Sequence, residues 1–217
     1  MSDSPKRKGQ QTKASIIVAA TEMAARDGLE GLTIGALADR AGMSKSGVFA
    51  HFGSREELQL AALNAYEQVF INEILAPALK QPRGLSRLVH LVERWLAYTA
   101  NEARSGCILV SAAFEYHSRP GAVRDALVAM ISGWQRELAT AIKQAVQTGE
   151  LLPDTDVDDL VFGLNGVVLA VHHDARLLQD ADAFSRGRSA FNRLLQTALV
   201  NPVPDQKFVS ESNQPTN

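Results

Sequence analysis

The sequence predicts an all-α protein in which a small N-terminal helix-turn-helix domain precedes a larger helical body. Three observations favour this class. Nearly every segment repeats its apolar residues at the spacing of a helix, and none shows the strict alternation of a half-buried strand. The chain of 217 residues is 46% hydrophobic, which is enough for a sizeable core, and only 8 of its residues are prolines. About nine helices are expected.

The first two elements are an arm and a helix. Residues 1–12 are polar, carry the basic run Lys6–Lys8 and lack an apolar period, so they predict a flexible basic arm. The first helix is expected from about Thr12 to Arg26, and Gly28 ends it. Whether the arm contacts DNA or only solubilises the chain is left open by the sequence.

Two short helices come next, and their caps define them. Thr33 caps the second, which runs from about Ile34 to Ala41, and Gly42 ends it. Ser44 caps the third, which reaches about Phe52.

The remaining helices form the predicted body. Ser54 to Glu57 read as a capping box, S-x-x-E, and open a long fourth helix to about Ala76. Five further helices are expected at about Leu85–Arg104, Cys107–His117, Ala122–Gln147, Val157–Leu178 and Phe184–Val200. The predicted domains are therefore an arm at 1–12, a helix-turn-helix domain at 13–55, a helical ligand-binding and dimerisation domain at 56–200, and a disordered tail at 201–217.

The charge is unevenly distributed along the chain. Residues 1–55 hold eight Lys and Arg against five Asp and Glu, a balance of +3, although the whole chain carries −2. A basic head on an acidic body is typical of a protein whose head meets a polyanion, although ordinary scatter also gives such a balance.

The stretch "AGMSKSGVFAHFGSREEL", residues 41–58, contains the turn and the third helix. A tight glycine-containing turn between two short helices is the helix-turn-helix pattern, in which the second helix enters the major groove. The hydroxyls of Thr33 and Ser44 suit phosphates, and Lys45 suits a base edge or a phosphate. Gly47 costs about 1 kcal/mol relative to alanine in a helix, which is reasonable where a base must approach closely.

Residues 33–52, "TIGALADRAGMSKSGVFAHF", resemble the DNA-binding signature of the TetR family of bacterial one-component regulators. Its usual pattern is T-x-x-x-I-A-x-x-A-G-V-S-x-G-x-x-Y-x-H-F-x-s-K-x-x-L, and the match covers about residues 12–60. The resemblance implies a homodimer that binds an operator in double-stranded DNA, usually as a repressor, and whose body binds a small-molecule ligand. By matched position, the expected DNA contacts are Thr33, Ser44, Lys45, Ser46, Gly47, Phe49, His51 and Arg55.

Four departures from the family pattern affect this interpretation. Met43 replaces valine in the core, and Ser46-Gly47 replace the common glycine and its polar neighbour, so operator preference cannot be transferred. Phe49 replaces a tyrosine and lacks the hydroxyl that contacts phosphate, whereas Arg55 keeps the charge of the usual lysine.

The family resemblance also assigns roles within the body. The last two helices are expected to pair with their twins across a twofold axis, through a small-residue stripe of Gly163, Gly166 and Ala170 and apolar contacts from Val161, Leu164, Val168 and Val171. Plain packing within one subunit is the alternative explanation of the same residues. The middle helices are expected to enclose a mostly apolar ligand chamber, although aromatic residues at helical spacing are also common in a plain core. Its candidate lining residues are Trp95, Tyr98, Phe114, His117, Trp134, Phe162 and Asn165.

Other functional classes have little support in the sequence. We find no phosphate-binding glycine loop, no arrangement of catalytic residues and no metal-ligand spacing, so we expect no enzyme, cofactor or metal. A helical adaptor for acidic proteins and a small helical enzyme remain the alternatives. The single cysteine, Cys107, and the lack of a long apolar segment predict a cytoplasmic protein with no membrane association.

Overall fold

The computed structural model describes the backbone of residues 5–201 and the side chains of residues 9–100 and 106–201. Within these ranges every regular element is helical, apart from one isolated antiparallel bridge between Leu151 and Leu199. The helices are α1 Pro5–Asp27, α2 Ile34–Ala41, α3 Lys45–Phe52, α4 Arg55–Phe70, α5 Ala76–Leu79, α6 Leu85–Ser105, α7 Ile108–Tyr116, α8 Ala122–Gln147, α9 Val157–Arg176 and α10 Ala183–Ala198. No helix in the described part of the chain is both long and apolar enough to cross a bilayer.

Helix α1 begins seven residues earlier than the sequence predicted. It starts at Pro5, so the second part of the expected flexible arm, residues 5–12, is helical. Proline is well tolerated in the first turn of a helix because its missing N–H would be unpaired there. Residues 1–4 and the tail from residue 202 lie outside the described residues.

The fourth predicted helix is a continuous rod with a change of winding. A π-helical turn, Ile71–Leu75, joins α4 to α5, and the flanking Phe70 and Ala76 keep right-handed helical backbone angles. Counted as one rod, α4 to α5 ends at Leu79, and the described residues contain the nine helices that were predicted. Pro77 therefore lies inside this rod, although the sequence suggested a boundary at that position.

The chain divides into two compact units. One comprises the chain up to Val69 together with Ser105–Ile131, and the other comprises Phe70–Arg104 together with Ser132 to the C-terminus. This grouping differs from the predicted domain division at residue 55, because α7 and the start of α8 pack with the N-terminal helices. Helical periodicity cannot predict which helices group together, since it reports which face of a helix is buried and not what covers it.

The core of the first unit is built from leucines and other aliphatic residues on α1 to α4 and α7. Leu32, just before the Thr33 cap, and Leu37 on α2 are both fully buried, which is the placement of a hydrophobic staple. Met43, which was expected in the core, is only half-buried. Other fully buried residues of this unit are Leu29, Val48, Leu58, Leu63 and Ile108.

The core of the second unit is centred on the antiparallel pair α9 and α10. Gly187 on α10 is required by the close approach of the two helices, since a Cβ there would clash with Val171 Cγ2. The four apolar residues of α9 that were expected at a dimer seam are instead buried within their own unit, at 2–8% exposure: Val161, Leu164, Val168 and Val171. Because these four residues face the interior, a different stripe of α9 residues faces the solvent.

Candidate nucleic-acid interface

The helix-turn-helix is shaped by Gly42 and two side-chain caps. Gly42 has a left-handed backbone, φ 63°, and its N–H bonds back to carbonyl oxygens of α2, which closes that helix. Thr33 Oγ1 accepts the Ala36 N–H at 3.1 Å, and Ser44 Oγ accepts the Gly47 N–H at 3.1 Å. Each cap thus satisfies one of the unpaired N–H groups at the start of its helix.

Helix α3 has one buried side and one exposed side. Val48 and Phe52 are buried, and the Phe52 ring also lies 5.4 Å from Lys13 Nζ of α1. The exposed residues are Lys45, Ser46, Phe49 and Ala50, while Gly47 and His51 are half-buried. Six of the eight predicted DNA-contact residues thus lie on or next to one short helix, with Ser44, Lys45 and Ser46 at its N-terminus and His51 in its last turn.

Lys45 has a close neighbour on α2. A Cβ added to Gly35 would lie 3.3 Å from Lys45 Cε and 3.6 Å from Nζ, so the lysine side chain lies across the glycine. Gly35 therefore leaves room for Lys45 to fold against α2 or to extend.

Phe49 is the most exposed aromatic group of the first helices, at 54%. Exposure of a large apolar ring to water is unfavourable in free energy, and such a ring is suited to contact with a sugar or a base. The ring takes the position where the family pattern carries a tyrosine.

Arg55 is exposed, yet its guanidinium makes backbone hydrogen bonds that the sequence did not predict. Its Nη2 donates to the Glu30 carbonyl at 2.6 Å, and its Nε donates to the Leu32 carbonyl at 3.1 Å. Both carbonyls belong to the loop that leads into Thr33. The arginine therefore positions the start of α2, in addition to any phosphate contact made by its remaining N–H groups.

Glu30 is the centre of a second group of contacts in the same loop, which we call the Glu30 clamp: Glu30, Arg55, Tyr116 and Arg119. Tyr116 donates its hydroxyl to Glu30 Oε1 at 2.6 Å, while Arg119 and Arg55 approach Oε2 at 2.9 and 3.3 Å. The Tyr116 hydrogen bond is the largest cause that lowers the pKa of the Glu30 carboxyl, followed by Arg119 and then Arg55. Burial and this same carboxylate raise the pKa of Tyr116 to about 12.

Further side chains fix the backbone of this loop. Gln59 donates to the Leu29 carbonyl at 2.6 Å, and Glu115 accepts the Glu30 N–H at 3.2 Å. Gly28 is required here, since it has φ 81° and a Cβ would clash with the Glu115 carboxylate. Sequence reasoning missed the clamp because the partners of Glu30 lie 25 (Arg55), 86 (Tyr116) and 89 (Arg119) residues further along the chain and match no local motif.

The second unit contains an aromatic cluster. Trp134 on α8 meets Trp95 at 4.8 Å and Phe70 at 5.0 Å between ring centroids, and Phe70 meets Tyr98 at 6.0 Å. All three contacts are edge-to-face, which is the favoured geometry for aromatic pairs. The structure therefore brings together three of the seven predicted ligand-lining residues, and it adds Phe70.

The other four predicted lining residues lie elsewhere. Phe114 is 73% exposed, and His117 is exposed with its Nδ1 2.7 Å from the Phe114 carbonyl oxygen; both belong to the first unit. Phe162 is 79% exposed on the outer face of α9, and Asn165 donates to the Val161 carbonyl of its own helix at 2.8 Å. Their aromatic or polar character suggested a chamber, but Phe114, His117 and Phe162 are exposed and Asn165 bonds within its own helix.

These features define a class: an all-helical transcriptional regulator with a helix-turn-helix head. Two family models match the chain, "Bacterial regulatory proteins, tetR family" over residues 16–62 and "Tetracyclin repressor-like, C-terminal domain" over residues 84–191. The chain belongs to the TetR family and is a DNA-binding transcriptional regulator.

Individual relatives agree with this assignment. The transcriptional regulator AcuR of Cereibacter sphaeroides is 25% identical over 174 residues, which cover 75% of this chain and 77% of AcuR. A TetR regulator from Chloroflexus aurantiacus superposes with TM-score 0.73 at 25% identity, covering 87% of this chain and 94% of its own. A regulator from Saccharomonospora viridis in complex with choline gives TM-score 0.76 at 21% identity over 88% and 99% of the two chains, and shares the fold.

Proposed function

We propose that this regulator is a ligand-responsive repressor that binds a palindromic operator as a homodimer. The observation that carries the proposal is the exposed face of α3, which has a capped N-terminus, an exposed lysine and an exposed aromatic ring. A helix of 8 residues is about 12 Å long at 1.5 Å per residue, which is about the width of the major groove. The proposed role is binding and not catalysis.

Within that face, each residue type suggests a role. Lys45 and Ser46 are the residues that would read base edges, because they are exposed in the first turn of α3. Gly47 lets the duplex approach the helix closely. The remaining contacts are to the backbone of the DNA: Thr33 and Ser44 at the helix N-termini, His51 and Arg55 to phosphates, and Phe49 to a sugar.

An exposed apolar stripe on α9 supports the homodimer. Phe162 and Leu169 on α9, and Leu177 just past its end, are 79%, 50% and 71% exposed, and Gly166 and Ala170 lie between them on the same face together with the exposed His173. A largely apolar face of this kind is expected to be covered in solution. A second copy of α9 is the natural cover, since the same surface meets itself across a twofold axis. Phe162 then contributes to the dimer and not to a ligand chamber.

The Glu30 clamp supports a route for regulation. Tyr116 and Arg119 lie at the end of α7 and just after it, and they hold the loop that precedes Thr33. A ligand that shifts this segment would loosen or re-aim α2 and α3. Such a ligand regulates DNA binding only if its affinity differs between the two arrangements.

Selection of bound fragments from random duplex DNA tests this function. We expect enrichment of two inverted half-sites about one helical turn, or a multiple of it, apart. The Lys45→Ala variant serves as the matched control, and it should lose the enriched motif while keeping its fold. A pool without enrichment would refute specific recognition, whereas a single half-site would refute the palindromic dimer alone.

A further inference from the structure

Among the described residues, four side-chain atoms of the second unit are buried without a hydrogen-bond partner: Arg87 Nε, Thr99 Oγ1, Trp134 Nε1 and Asn192 Oδ1. Two of them are the hydroxyl of Thr99, a residue with 0% exposure, and the indole N–H of Trp134, a residue with 8% exposure. Burial of a polar group without a partner lowers stability, so such groups are rare in native proteins and often have a functional reason.

The two groups belong to one neighbourhood. Trp134 packs edge-to-face on Trp95, and Thr99 follows Trp95 by four residues on α6, on the same face and about 6 Å further along the axis. Thr99 also continues the buried apolar stripe of α6 that includes Val92 and Leu96. A polar residue at a core position breaks the apolar pattern of the helix, and such breaks tend to mark functional sites.

We infer that the effector of this regulator is a neutral, largely apolar molecule whose oxygen acceptor bonds to Trp134 Nε1–H and to the Thr99 hydroxyl. The inference rests on the proposed ligand response and deepens it by naming the ligand chemistry. An indole N–H only donates, so the ligand must supply an acceptor such as a ketone, ester or ether oxygen. The surrounding rings of Phe70, Trp95 and Trp134 offer no counter-charge, and an ionised ligand would lose its hydration without compensation.

The first test uses the unliganded protein. Thr99→Val keeps the shape of the side chain and removes the unpaired hydroxyl. The folding equilibrium constant should therefore rise, by about tenfold in urea unfolding. Thr140→Val is the matched control, because the Thr140 hydroxyl is exposed and already bonds to the Arg136 carbonyl at 2.8 Å. A Thr99 variant that is no more stable than wild type, while the control is unchanged, would overturn the inference.

The second test uses tryptophan emission. The chain has only two tryptophans, Trp95 and Trp134, and both lie in the cluster, so the emission maximum reports on this site alone. Three neutral ketones serve as probes: cyclohexanone, 2-octanone and acetophenone. Cyclohexanecarboxylate is the charged counterpart, methylcyclohexane is the counterpart without an acceptor, and N-acetyltryptophanamide controls for collisional quenching.

We expect a saturable shift of the emission maximum with at least one ketone, and none with the carboxylate. Trp134→Phe and Thr99→Val should each weaken ketone binding by about tenfold, and Thr140→Val should not. The inference is overturned if no ketone gives a saturable shift, if the carboxylate binds as well as the ketones, or if the two variants bind like wild type. The titration contains no DNA, so a failure of DNA recognition leaves its result interpretable.

Discussion

The Tyr116→Phe substitution tests the Glu30 clamp most directly. It removes one hydroxyl and leaves the ring in place, in a residue that is only 8% exposed. The lost contact is a short hydrogen bond, 2.6 Å, to an ionised carboxylate. Hydrogen bonds to charged groups contribute about 1.5–3 kcal/mol, and because the Glu30 side chain is 35% exposed, water will replace part of this. We expect the free energy of unfolding to fall by about 1–2 kcal/mol at pH 7.

The pH dependence of this loss gives a second measurement. The pKa of Glu30 is lowered in the folded state, so its contribution is present above the unfolded value, about 4.3, and is lost as the pH falls through the folded value. The difference between wild type and Tyr116→Phe, measured by urea unfolding, should therefore be largest near neutral pH and shrink in acid.

A double-mutant cycle with Glu30→Gln separates this pair from other effects. Glutamine keeps the acceptor oxygen and removes the charge, so Tyr116→Phe should cost about 1 kcal/mol less in that background. An equal cost in both backgrounds, unchanged between pH 7 and acid, would show that the clamp does not depend on the Glu30 charge.

Three further predictions concern the helix-turn-helix, the proposed dimer interface on α9 and the buried histidine of the second unit. Lys45→Ala should weaken specific DNA binding by about 1–3 kcal/mol in a competition titration, and an equal loss on random DNA would assign Lys45 to a phosphate. Gly166→Leu should reduce the sedimentation mass to that of one chain. The substitution should not unfold the chain, because a Cβ at Gly166 has no neighbour within 4 Å in its own subunit. An unchanged mass would refute the proposed dimer interface on α9. Burial, and to a smaller extent Arg176, lowers the pKa of His172 to about 4. The free energy of unfolding should therefore have its full value above the pKa of an unfolded histidine, about 6.5, and fall by up to about 3 kcal/mol as the pH decreases towards 4. In urea unfolding His172→Gln should lose less over that range, and a loss equal to that of wild type would place the titrating group elsewhere.

The sequence was sufficient to predict the helical class and the geometry of the head. Those features depend on local information: Thr33 and Ser44 make the caps that were predicted, and Gly42 adopts the left-handed backbone that ends α2. Residues 5–201 also form the nine helical rods expected, because apolar period and capping are read over a few turns at a time.

Features that depend on distant residues could not be predicted in this way. Arg55 was assigned to DNA from its place in the family pattern, yet it also bonds to two carbonyls more than 20 residues away. Phe114 and Phe162 were assigned to a ligand chamber from their aromatic character, but they are strongly exposed. The apolar period of a helix indicates which of its faces is buried but not which element covers that face, so it could not separate packing within the subunit from packing against a second subunit.

The departures from ordinary folding rules fall at the places where function is proposed. Phe49 and Phe162 expose large rings that a monomer would bury, whereas Thr99 and Trp134 bury polar groups that a stable core would satisfy. Each arrangement lowers stability in the isolated, unliganded chain, and each is relieved by a partner of a different kind: a duplex at α3, a second subunit at α9 and an oxygen-bearing ligand at the aromatic cluster. If the proposals are correct, binding each partner should stabilise the fold, since a molecule that binds only the folded state raises the free energy of unfolding. Thermal unfolding with DNA, at increasing protein concentration and with ketones would therefore show three separate increases in the unfolding temperature. Substitution of Phe49 or Trp134 should reduce only the increase that belongs to its own partner, whereas substitution of Phe162 should remove the increase with protein concentration and, because the operator is bound by a dimer, also reduce the increase with DNA.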